Sequence, residues 1–424
     1  MTTLGDLTIG ARNTGEVSFL PEPEARPRTY TIISVDDHLV EPPDTFEGRI
    51  PAKFGDRGPR VVEQPDGSQV WLVDGRIIPN AGTNAVAGRP PSEYSNEPTR
   101  FEHMRRGAWD VHARVADMDM AGVWGSLCFP SMVAGFAGAR FSEIEDRDLG
   151  LATMRAWNDW HLESWCAAYP ERFIPQQVTW LLDPEIAAAE VRRNAGRGFK
   201  SLSFPEMPEK LGLPSIHTGY WDPLFAACEE TGTVLSLHVG SASAVTTGSS
   251  DAPPEVVTSL FFVGSIITTS DWLFSKVPLR FPDLRIAISE GGIGWVPALM
   301  DRIEHCFRYR DFTGGWMDET AHPNDVLRRN FWFCALDDAA GFQMLDRIGV
   351  DRVTVECDFP HADSTWPDTQ LYLGKQLGFL PPATIDKLTW SNACELYNFP
   401  LTEAAASGAW QRAVPAAEPG DTIR

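Results

Sequence analysis

From about residue 29 to residue 404, short apolar runs alternate with stretches of helical periodicity. TYTIISVDDH, GVWGSLCFP, RFIPQQVTW, FKSLSFP, TVLSLHVG, LRIAISEGG, NFWFCALDD and DRVTVECDFPHADS read as eight strands in chain order. Helical segments follow most of them. LATMRAWNDWHLESWCAAY is long and amphipathic; DPEIAAAEVRRNAG opens on Asp183 as N-cap and Pro184 in the first turn; DPLFAACEETG ends on glycine. Eight strands, most followed by a helix, predict a closed α/β architecture, the (β/α)8 TIM barrel. A doubly wound open sheet is the runner-up fold. It would carry a glycine-rich phosphate loop after its first strand, whereas DDHLVEPP stands there, which argues against a nucleotide cofactor.

The alternation fails between about 48 and 115. RVVEQPDGSQVWLVDGRIIP predicts two strands around a Pro-Asp-Gly turn, followed by a Gly- and Pro-rich loop. This is an insertion after the first strand, in the position of loops that shape a barrel's mouth or a subunit contact. Residues 1–28 and 405–424 read as polar tails, an N-terminal arm and a C-terminal tail able to pack on a neighbouring subunit.

Composition narrows the class. Of the 424 residues 43% are hydrophobic and 22% charged, the proportions of a globular chain. The formal charge of −22 disfavours nucleic acid and anionic membranes as general partners. The seven cysteines are scattered without a CxxC pair, which predicts small buried hydrophobes in a reducing compartment. With neither a secretory leader pattern nor a run of ~20 apolar residues, a cytoplasmic location is the default expectation.

The chemistry is concentrated at strand ends, where barrel enzymes carry reactive groups. Strand one ends in Asp36-Asp37-His38; alternation puts Asp36 and His38 on one face and turns Asp37 away. Strand five closes on His238, strand six on Glu290 before two glycines, and strand eight on Glu356 and Asp358, again on one face. Each is weak alone: a strand-end histidine is most often structural, and Glu290 could cap the next helix. Together they favour a metal, because converging carboxylates repel and resist desolvation unless a divalent cation joins them.

SVDDHLVEPPD, SLHVG, ISEGGIGW and ECDFPHADSTWP, supported by GAWDVHARVADMDMAGVWGSLCFP, RAWNDWHLESWCAAYPERF and IDKLTWSNACELYNF, resemble the amidohydrolase superfamily. More narrowly they resemble its amidohydrolase 2 family, the branch of aminocarboxymuconate-semialdehyde decarboxylase. The resemblance spans roughly residues 30 to 400. It implies Asp36, His38, His238 and Asp358 as ligands of one divalent metal, with Asp358 also handling a proton. Zinc is the first expectation, manganese and iron the alternatives. Many members have a histidine where Asp36 stands, and the decarboxylases usually have one where Glu290 stands.

The expected chemistry is therefore hydrolysis of an amide, imide, lactone or ester, or vinylogous C–C bond. Water is activated by the metal, Asp358 accepts its proton, and Glu290 or His361 delivers one to the leaving group. The alternatives are non-oxidative decarboxylation of an aromatic or enol carboxylate, and a non-catalytic metal-binding barrel. Trp295 and Trp366 are candidate substrate-lining residues for a small aromatic or cyclic substrate. Asn158 reads as a helix-surface polar group. His103, His112, His161, His217, His305 and His322 read as solvated or structural, with His103 and His112 near enough to the insertion to touch substrate. A homo-oligomer, a dimer in the first instance, is the expected assembly.

Overall fold

The computed structural model describes residues 13–406 apart from 80, 81, 83, 95–97, 243–248, 250, 317 and 319. The outer parts of both tails, 1–12 and 407–424, lie outside the described residues. Eleven strands are present among those described: β1 (Ile33–His38), β2 (Arg60–Glu63), β3 (Gln69–Val73), β4 (Arg76–Ile78), β5 (Gly125–Phe129), β6 (Gln176–Val178), β7 (Ser201–Pro205), β8 (Val234–His238), β9 (Ile286–Ser289), β10 (Phe331–Ala335) and β11 (Val353–Val355). Eight form one sheet in the order β5-β1-β11-β10-β9-β8-β7-β6, and its pairings are parallel. A parallel bridge from Ser126 to Phe173 joins the two ends of the order. The result is a nearly closed (β/α)8 barrel.

The eight strands are buried along their whole length, the state expected of parallel strands covered on both faces. The helices around them start and stop where the sequence says. The side chain of Asp183 accepts from the N–H groups of Glu185 (2.9 Å) and Ile186 (3.1 Å) and opens Pro184–Ala195. Gly232, with φ 67°, ends Asp222–Thr231. The long third segment runs Arg147–Trp160 and continues as a π-helix over His161–Trp165. Asn158 within it is buried, contrary to the surface reading. Its amide accepts from Val178 N and donates to Val178 O, both at 2.9 Å, satisfying β6 where that short strand needs partners.

The insertion holds three strands rather than two, the separate antiparallel sheet β2-β3-β4. The extra strand follows from Asp74-Gly75, both with positive φ (49° and 78°), as a two-residue hairpin turn requires. The described part of the N-terminal arm lies along its own barrel: Leu20 N donates to Gly88 O (2.8 Å) and Arg26 N to Met120 O (2.9 Å). All seven cysteines are free, and five are buried. Among the described residues no helix is long and apolar enough to cross a membrane.

An Asp183→Ala exchange removes both cap hydrogen bonds and should cost about 1 kcal/mol. Urea unfolding followed by circular dichroism checks this, and an unchanged midpoint would contradict the cap assignment.

Candidate metal centre

Because β1 is flanked by β5 and β11, its final residues reach the rim between two other strand ends. Asp36 and His38 face inward, and Asp37 faces out, as alternation requires. Asp37 accepts from Ser126 Oγ and from Phe359 N (3.0 Å), tying the end of β1 to β5 and to the segment after β11. Arg114 backs the same junction. Its guanidinium donates to His38 O and to Gly107 O (2.7 Å), and lies 4.6 Å over the Phe359 ring. Its charge is thus directed at backbone behind the cluster.

Inside the rim the donor atoms converge. His38 Nε2 lies 3.2 Å from Asp358 Oδ1, 3.4 Å from Asp36 Oδ1 and 3.2 Å from His238 Nε2, and His238 Nε2 lies 3.5 Å from Asp36 Oδ1. Donors about 2.1 Å from a shared tetrahedral ion stand about 3.4 Å apart, so these separations have the scale of a ligand set. The hydrogen bonds agree. Both carboxylate oxygens of Asp36 and of Asp358 are buried without a hydrogen-bond partner, a costly condition unless a cation completes them. His238 Nδ1 faces the Val239 carbonyl at 2.7 Å. A carbonyl only accepts, so Nδ1 carries a proton and Nε2 is the nitrogen left to face the cluster. Asp36, His38 and His238 form one group of potential ligands within 4.8 Å of one another, and Glu290, Asp358, His361 and Asp363 form a second. The residues present fit a divalent cation.

Glu290 Oε2 lies 3.0 Å from His238 Nε2. Its backbone has φ 54° and that of Asp358 φ 55°, left-handed values that bulky residues rarely adopt. The following Gly291 fits tightly: a Cβ there would lie 2.3 Å from Ser265 Oγ. That glycine therefore lets the helix Val263–Phe274 approach the strand end. His361 Nδ1 lies 3.0 Å from Asp358 Oδ1, and its ring stacks on His38 at 3.8 Å between centroids.

Burial sets the electrostatics. It raises Asp36, Glu356 and Asp358 above the carboxylate range, and neighbouring carboxylates add to the rise. Glu290 is pushed up to about 7 by burial, against the pull of His238. Burial would depress His238, but Asp36 and Glu290 outweigh it and raise the imidazole. His361 falls to about 3, through burial and the nearby His238 and Arg114, and is neutral at pH 7. Among the described residues, the ion pairs of Asp36, Glu290 and Asp358 are with histidines only.

The two tryptophans pack behind residues that adjoin the cluster, Gly291 and Phe359. Trp295 donates to Gly291 O (2.7 Å) and packs edge-on against Phe333; Trp366 donates to Asp117 O (3.1 Å) beneath Arg105. Both indoles are buried in packing. The aromatic rings beside the cluster are Phe129 and Phe136, and sequence reasoning passed over both. His103 is buried against Thr99 and His112 meets Tyr169 (2.9 Å), so neither contacts the cluster. Glu206, after β7, was also missed. It is buried and accepts from Gly240 N (2.7 Å) and Thr268 Oγ1 (3.2 Å), clamping the turn that carries Val239. Only its place just past a strand end could have signalled it.

A parallel eight-stranded barrel with histidines and carboxylates gathered at its strand ends is the architecture of a metal-dependent enzyme. The chain belongs to the amidohydrolase family, which it matches over residues 72–399. Among solved structures it is similar to an amidohydrolase from Mycobacterium avium subsp. paratuberculosis K-10, with 22% identity, TM-score 0.68, and 87% of this chain and 99% of that one covered. It is similar also to 5-carboxyvanillate decarboxylase from Novosphingobium aromaticivorans DSM 12444, complexed with manganese and 4-hydroxy-3-methoxy-5-nitrobenzoic acid, with 17% identity, TM-score 0.61, and 87% and 96% covered. A third is 2,6-dihydroxybenzoate decarboxylase from Rhizobium, with 15% identity, TM-score 0.57, and 87% and 99% covered. At these identities the shared property is the barrel fold.

Glu206 yields a pH prediction. Burial raises its carboxyl to about 7, so between about 4.5 and 7 the folded state holds a proton that the unfolded chain releases. Its stabilising contribution is complete below the unfolded pKa and is lost as pH rises through about 7. Glu206→Gln should therefore flatten the fall in stability across this window by up to one proton, read from urea midpoints of metal-free protein. Parallel profiles for wild type and variant would contradict it.

Proposed function

We propose that this enzyme is a metal-dependent hydrolase of a small, flat substrate with no carboxylate at the reacting position, and that Asp36, His38, His238 and Asp358 hold its metal. The observation that carries the reading is the position of Glu290, a largely buried carboxyl whose Oε2 lies 3.0 Å from His238 Nε2, where an acid is needed to complete a hydrolysis. A divalent ion bound by the four ligands supplies Lewis acidity and brings the pKa of bound water from ~16 towards ~7.

The side chains supply the proton transfers. Asp358 takes the proton of the attacking water at a carboxylate oxygen. Glu290 delivers one from Oε2 to the leaving atom, its pKa of about 7 suiting an acid that must be refilled at neutral pH. His361, neutral at that pH, stands with Nδ1 3.0 Å from Asp358 Oδ1 and is ill-suited to be the donor. Zinc suits the nitrogen and oxygen donors, as does the manganese held by the similar decarboxylase. A small-molecule substrate and a homo-oligomeric, cytoplasmic enzyme complete the proposal.

Decarboxylation is the second reading, favoured by the reaction named for two similar structures. Against it stands the lack, among the described residues, of a lysine or arginine pairing with the carboxylates of the cluster, so that the ion alone would have to attract a substrate carboxylate past Glu290 and Asp363. Protein loaded with zinc or manganese should hydrolyse members of an amide, imide and lactone panel and release no carbon dioxide from hydroxybenzoates. Asp358→Asn and Glu290→Gln should each lower kcat by about 10²- to 10⁴-fold, and Asp36→Asn should lower metal content measured by mass spectrometry. Carbon dioxide release without hydrolysis would replace this reading with the second.

A further inference from the structure

We infer that Phe136 is the floor of a substrate subsite for a planar, uncharged ring, placed directly beside the metal ligands. The inference rests on the hydrolase reading above and gives its substrate a chemical class. Phe136 lies in the loop after β5, and its ring centroid is 5.5 Å from that of His38 and 5.0 Å from that of His238. Phe129 touches the same two histidines (5.9 and 4.8 Å) but is wholly buried. Phe136 keeps part of its surface open.

The loop is built to hold that ring out. Phe136 has φ 57°, a conformation glycine would adopt without strain. Its carbonyl accepts from Ser203 Oγ at 2.9 Å. At the loop's start Ser131 donates through N (3.2 Å) and Oγ to Glu41, a buried carboxylate that also accepts from Trp157 Nε1 at 2.8 Å. At its end Gly138, φ 80°, lies so close to β6 that a Cβ would stand 3.1 Å from Thr179 O. A phenylalanine held in a strained conformation, yet left partly uncovered, is poorly explained by core filling, and strain of this kind concentrates at functional positions.

Its ring borders both histidines of the cluster, and an aromatic face there stacks best on another flat ring. Asp363, an exposed carboxylate on the same cluster, would repel a ring bearing negative charge.

Hydroxamates provide the test, because the chelating group is constant and the side group varies. On zinc-loaded wild-type protein, calorimetry should show benzohydroxamate binding about tenfold tighter than acetohydroxamate. Phe136→Ala should bring the ratio near one while the affinity for acetohydroxamate and the zinc content stay within about twofold, and Phe136→Tyr should restore it. An unchanged ratio in Phe136→Ala overturns the subsite alone. Loss of both ligands together with zinc overturns it too, since the ring would then serve only to hold the histidines. If neither hydroxamate binds zinc-loaded wild type, the hydrolase reading itself fails.

Discussion

The structure depends on one electrostatic constraint: buried carboxylates brought together at the end of a barrel. Asp36, Glu356 and Asp358 are at most 2% exposed, and burial drives each above its ordinary pKa. Such a group can take up protons or gain a cation, and the orphaned oxygens of Asp36 and Asp358 point to the cation. Much of the surrounding structure holds the strand ends against their own repulsion. Asp37 binds β5 and the segment after β11, Arg114 grips the backbone of His38, and Glu206 grips the turn after His238. These groups set the positions of donor atoms without themselves facing the metal position.

Strain tells the same story. Seven non-glycine residues among those described have positive φ, and three of them, Phe136, Glu290 and Asp358, are at the cluster. The other four include Asp74 in a hairpin turn and Asn398 closing a helix, where local geometry asks for such a conformation. At the cluster, strand-end geometry makes no such demand. The strain is sustained by tight packing, as between Gly291 and Ser265 or Gly138 and Thr179, and it persists because the neighbours leave no alternative.

What could be read from the sequence followed from periodicity. A strand's two-residue repeat put Asp36 and His38 on one side and Asp37 on the other, and eight such strands imply a common rim. The histidines and carboxylates converge because the barrel closes, so listing strand ends was nearly enough. Residues placed by loops were not legible in the same way. Phe136 sits among Gly135, Ala137 and Gly138, where no period assigns a face. The tryptophans show how little a motif says about the neighbours of a side chain: Trp366 packs on Phe359 next to Asp358, yet its indole also lies under Arg105 against the helix Val111–Ala121. Asn158 misled for a related reason, since a polar residue on a helix can face inward when a short strand needs its amide.

The family match begins at residue 72 and so omits β1. Half of the proposed ligand set, Asp36 and His38, therefore rests on geometry and on the motif that surrounds them. Glu290 governs the charge at one side of this cluster. An imidazole there would add a group able to carry positive charge to the cluster; the carboxylate adds a negative one, 3.0 Å from His238. With Glu290 ionised the cluster repels an approaching carboxylate; with Glu290 protonated it holds an acid against the ligand histidine. Neither state by itself attracts an anion, so any such attraction would have to come from the cation, and the second offers a proton at Oε2. Charge balance thus links the cation to the proton inventory: a divalent ion at the cluster would offset the buried carboxylates, and the protonation of Glu290 decides how much negative charge is left over.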